Sequence, residues 1–127
     1  WAHGGQVCIK TQRILVHQSL YPEFLERFIS DTQHIGVGDP RREDTLVGPL
    51  IDRKSRDRVL TWIDEAVGAG AQCLTGGKAS GNVVSPTILT QVEPSMRVVC
   101  DEVFGPVTTV ESFSTFEEGI QRANNGP

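Results

Sequence analysis

The sequence predicts an α/β domain: a layered structure with a largely parallel sheet flanked by helices. Short aliphatic, β-branched runs alternate along the chain with longer stretches whose apolar residues recur at helical spacing, the order expected of strand and helix taking turns. Glycine and proline clusters punctuate the junctions. A length of 127 residues with 38% hydrophobic and 22% charged residues suits one domain with a single core, one that removes roughly two thirds of the unfolded chain's surface from water.

Taken in order, Gln12-Arg13-Ile14-Leu15-Val16-His17 is a short aliphatic run that reads as a buried strand. From Ser19 the period changes. Phe24, Leu25, Phe28, Ile29 and Ile35 share one helical stripe, Pro22 is tolerable in a first turn, and Gly36 stands where a helix would stop. Residues 36–50 carry Gly-x-Gly, Asp39-Pro40 and Gly48-Pro49 and are expected to form an ordered loop. Asp52 is placed to cap a second helix with Leu60, Ile63, Ala66 and Val67 on its apolar face and Gly68 and Gly70 at its exit. A short strand over Gln72–Leu74 and a turn at Gly76-Gly77-Lys78 follow. Val83-Val84 and Thr87-Ile88-Leu89 are strand signals separated by Pro86, which donates no ladder hydrogen bond and is expected at an edge or bulge. Val107–Val110 is the last strand, and Ser114-x-x-Glu117 predicts a capping box for a final helix bearing Phe116, Ile120 and Ala123.

Twelve basic and sixteen acidic residues give a net charge of −4 with interleaved signs, which argues against a general attraction to nucleic acid. The one basic run, Arg53-Lys54-Ser55-Arg56-Asp57-Arg58, reads as the solvated start of a helix. No apolar run approaches the roughly eighteen residues a membrane helix needs, and no signal peptide pattern is present. The three cysteines are odd in number and contain no Cys-x-x-Cys, so reduced thiols in the cytoplasm are expected rather than a disulfide framework or zinc ribbon. The opening Trp1-Ala2-His3 and the closing Asn124-Asn125-Gly126-Pro127, which looks like the middle of a helix exit, suggest a segment of a longer protein.

A lone cysteine such as Cys8 is either a small buried hydrophobe or a nucleophile. Gly4 and Gly5, ahead of Gln6, permit a tight backbone path beside this thiol, of the kind that brings backbone N–H groups close to a reacting oxygen. Lys10, two residues on, can add positive charge or point away. Cys73 and Cys100 read as packing residues. His3, Cys8, His17 and His34 have no metal-ligand spacing, so no metal is expected. The glycines of 36–41 and Gly77-Lys78 fail as phosphate loops for want of the remaining motif positions. By themselves, Asp101 and Glu102 read as a solvated acidic pair.

Several strings in one order change that reading. Gly5-Gln6-Val7-Cys8, Arg13 five positions later, Gly48-Pro49-Leu50, Gly70-Ala71 with Gly76-Gly77, Glu102-Val103-Phe104-Gly105-Pro106-Val107 and Ala123-Asn124-Asn125 together resemble the catalytic domain of the NAD(P)-dependent aldehyde dehydrogenase superfamily from its nucleophile loop onward. The resemblance spans essentially residues 1–127 and implies a fragment of that domain, with the cofactor domain and final oligomerisation segment outside it. It implies that Cys8 is the nucleophile, that Glu102 holds a ribose of NAD or NADP and that Phe104 packs at the nicotinamide end. It further implies a small-molecule aldehyde as substrate and a homodimeric or homotetrameric parent.

Lys10 departs from the pattern, which usually has a small residue there. The family's general-base Glu and oxyanion Asn precede its Cys motif, so these residues alone are expected to lack turnover. Two alternatives stay open: an acylating dehydrogenase or acyl-phosphate reductase of the same superfamily, and a noncatalytic interaction module in which Cys8 only packs.

Overall fold

The computed structural model describes residues 1–125. Its strands are β1 (Arg13–His17), β2 (Gln72–Thr75), β3 (Ala79–Ser80), β4 (Val83–Val84), β5 (Thr87–Thr90) and β6 (Val107–Phe113). The helices are α1 (Tyr21–Gln33), α2 (Arg53–Gly68), the single turn α3 (Arg97–Cys100) and α4 (Phe116–Asn124), preceded by a 3-10 turn over Ala2–Gly5. Four strands form one sheet in the order β1-β6-β5-β2. β6 runs parallel to both β1 and β5, with Arg13 opposite Thr109 and Thr87 opposite Val107, and within this sheet only β2 is antiparallel, while β3 and β4 form a separate antiparallel pair. The predicted layered α/β architecture is therefore the observed one.

β5 is buried throughout, as are Val107–Val110 of β6, which is why both read as unbroken apolar or β-branched runs rather than as alternating ones. Successive side chains go to opposite faces of the sheet. Leu89 and Val107 join Val59, Ile63 and Ala66 of α2 in one core. Ile88 and Val110 join Val16 in a second, against which Phe24, Leu25, Phe28 and Ile29 of α1 are half-buried. Trp1 stacks on Phe28 with centroids 5.9 Å apart, and its Nε1 donates to the Thr32 hydroxyl at 3.2 Å, tying the first residue to α1.

Several local expectations need correction. The α2 stripe is Val59, Ile63 and Ala66, at i, i+4 and i+7, whereas Val67 is 43% exposed. Gly68 is still helical, and the left-handed exit is Gly70, at φ 110°. α1 ends at Gln33, leaving Ile35 and Gly36 beyond it. Gly36 serves a close approach: a β-carbon there would fall 1.8 Å from the Asp44 carbonyl oxygen. Asp52 does cap α2, accepting from the Ser55 N–H at 2.7 Å. The cap of α4 is shifted by one residue: Thr115 accepts from Glu118 N–H at 3.2 Å, while the Glu118 carboxylate takes the Ser114 N–H at 2.8 Å and its hydroxyl at 2.6 Å. Phe116 (72%) and Ile120 (47%) lie exposed on that helix.

Pro86 occupies neither edge nor bulge. It immediately precedes β5, a central strand, so its missing N–H falls outside the ladder. Cys73 is exposed and Cys100 only half-buried, against the packing role expected of both. β2 is the outer strand of its sheet, which leaves Cys73 open to solvent. Gly126 and Pro127 of the expected helix exit lie outside the described residues.

Candidate active site

The cysteine loop enters through three consecutive residues in the left-handed region, His3 (φ 54°), Gly4 (φ 63°) and Gly5 (φ 72°). Space as well as φ demands glycine at the third. A β-carbon on Gly5 would lie 2.2 Å from the carbonyl oxygen of Gly105 and 2.6 Å from its carbon, so the two backbones touch. The cysteine motif and the Glu102-to-Val107 string thus meet at two glycines, despite lying at opposite ends of the chain.

Gln6 fastens a third segment to them. Its Nε2 donates to the carbonyls of His3 (3.2 Å) and Pro49 (3.3 Å), and its Oε1 accepts from the Ile51 N–H at 2.9 Å. Gly48-Pro49-Leu50 is thereby held against the cysteine loop. An open hollow of about 810 Å³ lies between them, bordered by His3, Gln6, Leu46, Pro49, Ile51 and Phe104.

Cys8 itself is exposed, as is Ile9 beside it. Among the described residues the Cys8 N–H donates to no carbonyl; the turn around it closes instead through Lys10 N–H to Val7 C=O at 3.1 Å. Lys10 reaches toward β6. Its ammonium donates to the Val107 carbonyl, at the first residue of β6, and burial pushes its pKa down to about 8.

Burial alternates over 102–105 and then persists. Val103, Gly105, Pro106 and Val107 are buried while Glu102 and Phe104 are exposed. Val103 packs in the same core as Val59 of α2, and a β-carbon on Gly105 would meet Val59 Cγ2 at 2.7 Å. Phe104 adopts φ 46°, a conformation uncommon for a non-glycine residue, and the residue is 40% exposed on the border of the hollow. The Glu102 carboxylate enters no hydrogen bond or ion pair among the described residues.

The fold therefore brings together the loop of Cys8 and the segment of Glu102 and Phe104. Gln6 and Gln12 complete the site through side-chain hydrogen bonds, Gln6 to the segment of Pro49 and Ile51 and Gln12 to Val103 N–H. Gln6 stood inside the cysteine motif, where a polar side chain between glycines and an apolar residue was the available signal. Gln12 carried none, because a glutamine ahead of a strand is ordinarily a solvated residue. Among the described residues no group of three His, Cys, Asp or Glu side chains could hold a metal ion, and no helix is long and apolar enough to cross a membrane.

The aldehyde dehydrogenase family model matches residues 1–127. This chain belongs to the aldehyde dehydrogenase family. It is 37% identical over 127 residues to the benzaldehyde dehydrogenase YfmT of Bacillus subtilis, covering all of this chain and 26% of that protein. Aldehyde dehydrogenase 21 from Physcomitrella patens, solved with the reaction product succinate, superimposes with a TM-score of 0.95 at 36% identity, over 97% of this chain and 26% of the other. Betaine aldehyde dehydrogenase from Staphylococcus aureus, solved with NAD+, gives 0.93 at 39% identity, over 98% and 26%. The chain thus spans about a quarter of the length of the aldehyde dehydrogenases it matches.

Proposed function

We propose that the full-length protein oxidises a small-molecule aldehyde to the carboxylic acid, with Cys8 as nucleophile and with Glu102 and Phe104 contacting NAD or NADP. Residues 1–127 are its catalytic-domain part. The observation that most supports this reading is the contact of Gly5 on Gly105, which joins the nucleophile loop to the cofactor string. The residues fit such a cofactor: Glu102 keeps both carboxylate oxygens open to hydroxyl donors, and Phe104 offers an exposed ring beside a hollow of about 810 Å³.

Bound NAD(P)+ supplies the hydride acceptor. The Cys8 thiolate Sγ adds to the aldehyde carbon, forming a C–S bond and moving the carbonyl electron pair onto oxygen. The Cys8 N–H, which donates to no carbonyl among the described residues, is available to that oxyanion. Re-forming the C=O expels the carbon's hydrogen with its electron pair and leaves a thioester on Cys8. Water adds to the thioester carbon, the C–S bond breaks, and the acid and free thiol are released. The parent acts as a homodimer or homotetramer in the cytoplasm, a compartment that suits three free cysteines.

The test is aldehyde-dependent NADH or NADPH formation by the full-length protein, with and without coenzyme A or phosphate, beside Cys8→Ala. Activity independent of both additives, lowered at least about a thousandfold in the variant, is expected. A variant that keeps its activity removes Cys8 as nucleophile, and an absolute requirement for coenzyme A or phosphate moves the acylating reading ahead. The 127 residues alone are expected to give no turnover, and normal turnover from them would overturn that part of the proposal.

A further inference from the structure

Gln12 stands between the cysteine loop and β1, and its side-chain amide reaches the segment that carries Glu102. Nε2 donates to the carbonyls of Val98 (3.1 Å) and Asp101 (2.7 Å), and Oε1 accepts from the Val103 N–H at 2.9 Å. The Asp101 carbonyl belongs to the peptide unit entering Glu102, and the Val103 N–H to the one leaving it. One amide therefore holds both peptide units of Glu102. Its own backbone is fixed as well, the Gln12 carbonyl accepting from Thr109 N–H of β6 at 2.9 Å.

We infer that Gln12 is a positioning residue for Glu102, coupling the nucleophile loop to the carboxylate that meets the cofactor. This rests on the reading of Glu102 given above. Only a side-chain amide offers a donor and an acceptor side by side at this length: an ionised Glu cannot donate, and Met cannot donate and accepts only weakly. With Val98 and Val103 fully buried on either side, the backbone of residues 101–103 has little freedom except through this clamp. The exposed Glu102 side chain thus leaves the surface in a direction set by Gln12.

The test uses full-length protein and four forms: unaltered, Gln12→Met, Glu102→Gln and the double variant. NAD+ and NADP+ are titrated into each and the dissociation constant measured, without aldehyde. Each single change is expected to weaken binding of the preferred cofactor about tenfold, and the double variant to match Glu102→Gln within about twofold, because both act through one group. Amide hydrogen exchange at Val103 in the cofactor-free protein should accelerate in Gln12→Met and stay unchanged in Glu102→Gln. If Glu102→Gln binds as tightly as the unaltered protein, the Glu102 assignment falls and takes the inference with it. If Glu102→Gln weakens binding and Gln12→Met does not, or if the two effects multiply, only the inference falls. Should Gln12→Met fail to fold, Gln12→Glu, which keeps the acceptor for Val103, enters the same comparison with the same criteria.

Discussion

The string 102–107 and the cysteine loop meet at Gly105 and Gly5 but display their side chains by opposite means. In the string, every second residue is an anchor in the core: Val103 and Val107 pack with α2, and Gly105 presses on Val59, so Glu102 and Phe104 are displayed by the burial of their neighbours. The cysteine loop has no such foundation, since Cys8 and Ile9 are exposed and Val7 only half-buried. Polar ties hold it instead: Gln6 to Pro49 and Ile51, Lys10 to Val107, and Gln12 to Val98, Asp101 and Val103. A display built on burial is stiff because moving it opens a cavity. One built on individual hydrogen bonds can be loosened a bond at a time, each with a net worth of about 1 kcal/mol.

The largest effect is expected where the two meet. Gly5→Ala adds a carbon that would lie 2.2 Å from the Gly105 carbonyl oxygen, at φ 72°. Backbone has to move on one side or the other, and strain plus overlap should destabilise the protein by on the order of 3 kcal/mol. Aldehyde oxidation should fall at least about a hundredfold, because displacing either segment spoils the other. Thermal unfolding and turnover of the full-length variant test this. A Gly5→Ala protein with unaltered melting temperature and activity would show that the two segments are independent.

The outline of the fold was readable because its signals are local. The β-branched runs gave β1, β5 and β6, and the apolar stripes gave α1 and α2. Asp52 identified its own cap, accepting from Ser55 as expected. What sequence could not supply was the partner of each side chain. Val59 reads as one more apolar residue until Gly105 is seen against it, and Thr115 competes with Ser114 for the cap of α4 by one position only. Cys73 went wrong for a related reason: a thiol packs only if something covers its strand, and β2 lies at the sheet's edge. Of the site, Cys8, Glu102 and Phe104 came from motif resemblance, whereas the clamps formed by Gln6 and Gln12 are tertiary facts with no periodicity to announce them.

Lys10 separates the two kinds of anchoring by pH. Its pKa falls from 10.5 to about 8 because burial disfavours the ammonium. Between those values the unfolded chain holds a proton that the folded one has lost, so stability from this group rises with pH across that window. Below pH 8 both forms are charged and the penalty of burying the ammonium is constant. At about 1.36 kcal/mol per pH unit, lessened by the partial exposure of the side chain, the gain is on the order of 2 kcal/mol. Lys10→Met should remove that slope, so the stability difference between the two proteins should change steadily between pH 8 and 10.5. Parallel curves would mean that Lys10 stays solvated and that its tie to Val107 does not hold the loop.

The smallest effect belongs to Gln6, and it bears most directly on the contrast between the regions. Gln6→Ala removes two donated bonds and one accepted one, all at exposed positions where water can replace the partner. The expected loss of stability is therefore only about 1 kcal/mol. The loss of order should still be local: without Gln6, the loop of Pro49 and Ile51 has no side-chain hydrogen bond to the cysteine loop among the described residues, and that border of the hollow can shift. Turnover should fall by more than the stability change alone suggests, roughly tenfold, while amide exchange at Val103, whose N–H stays on Gln12, and at Val107 stays unchanged. Exchange that quickened equally in both segments would mean the string depends on the loop for its rigidity, and the division between burial and hydrogen bonding would have to be redrawn.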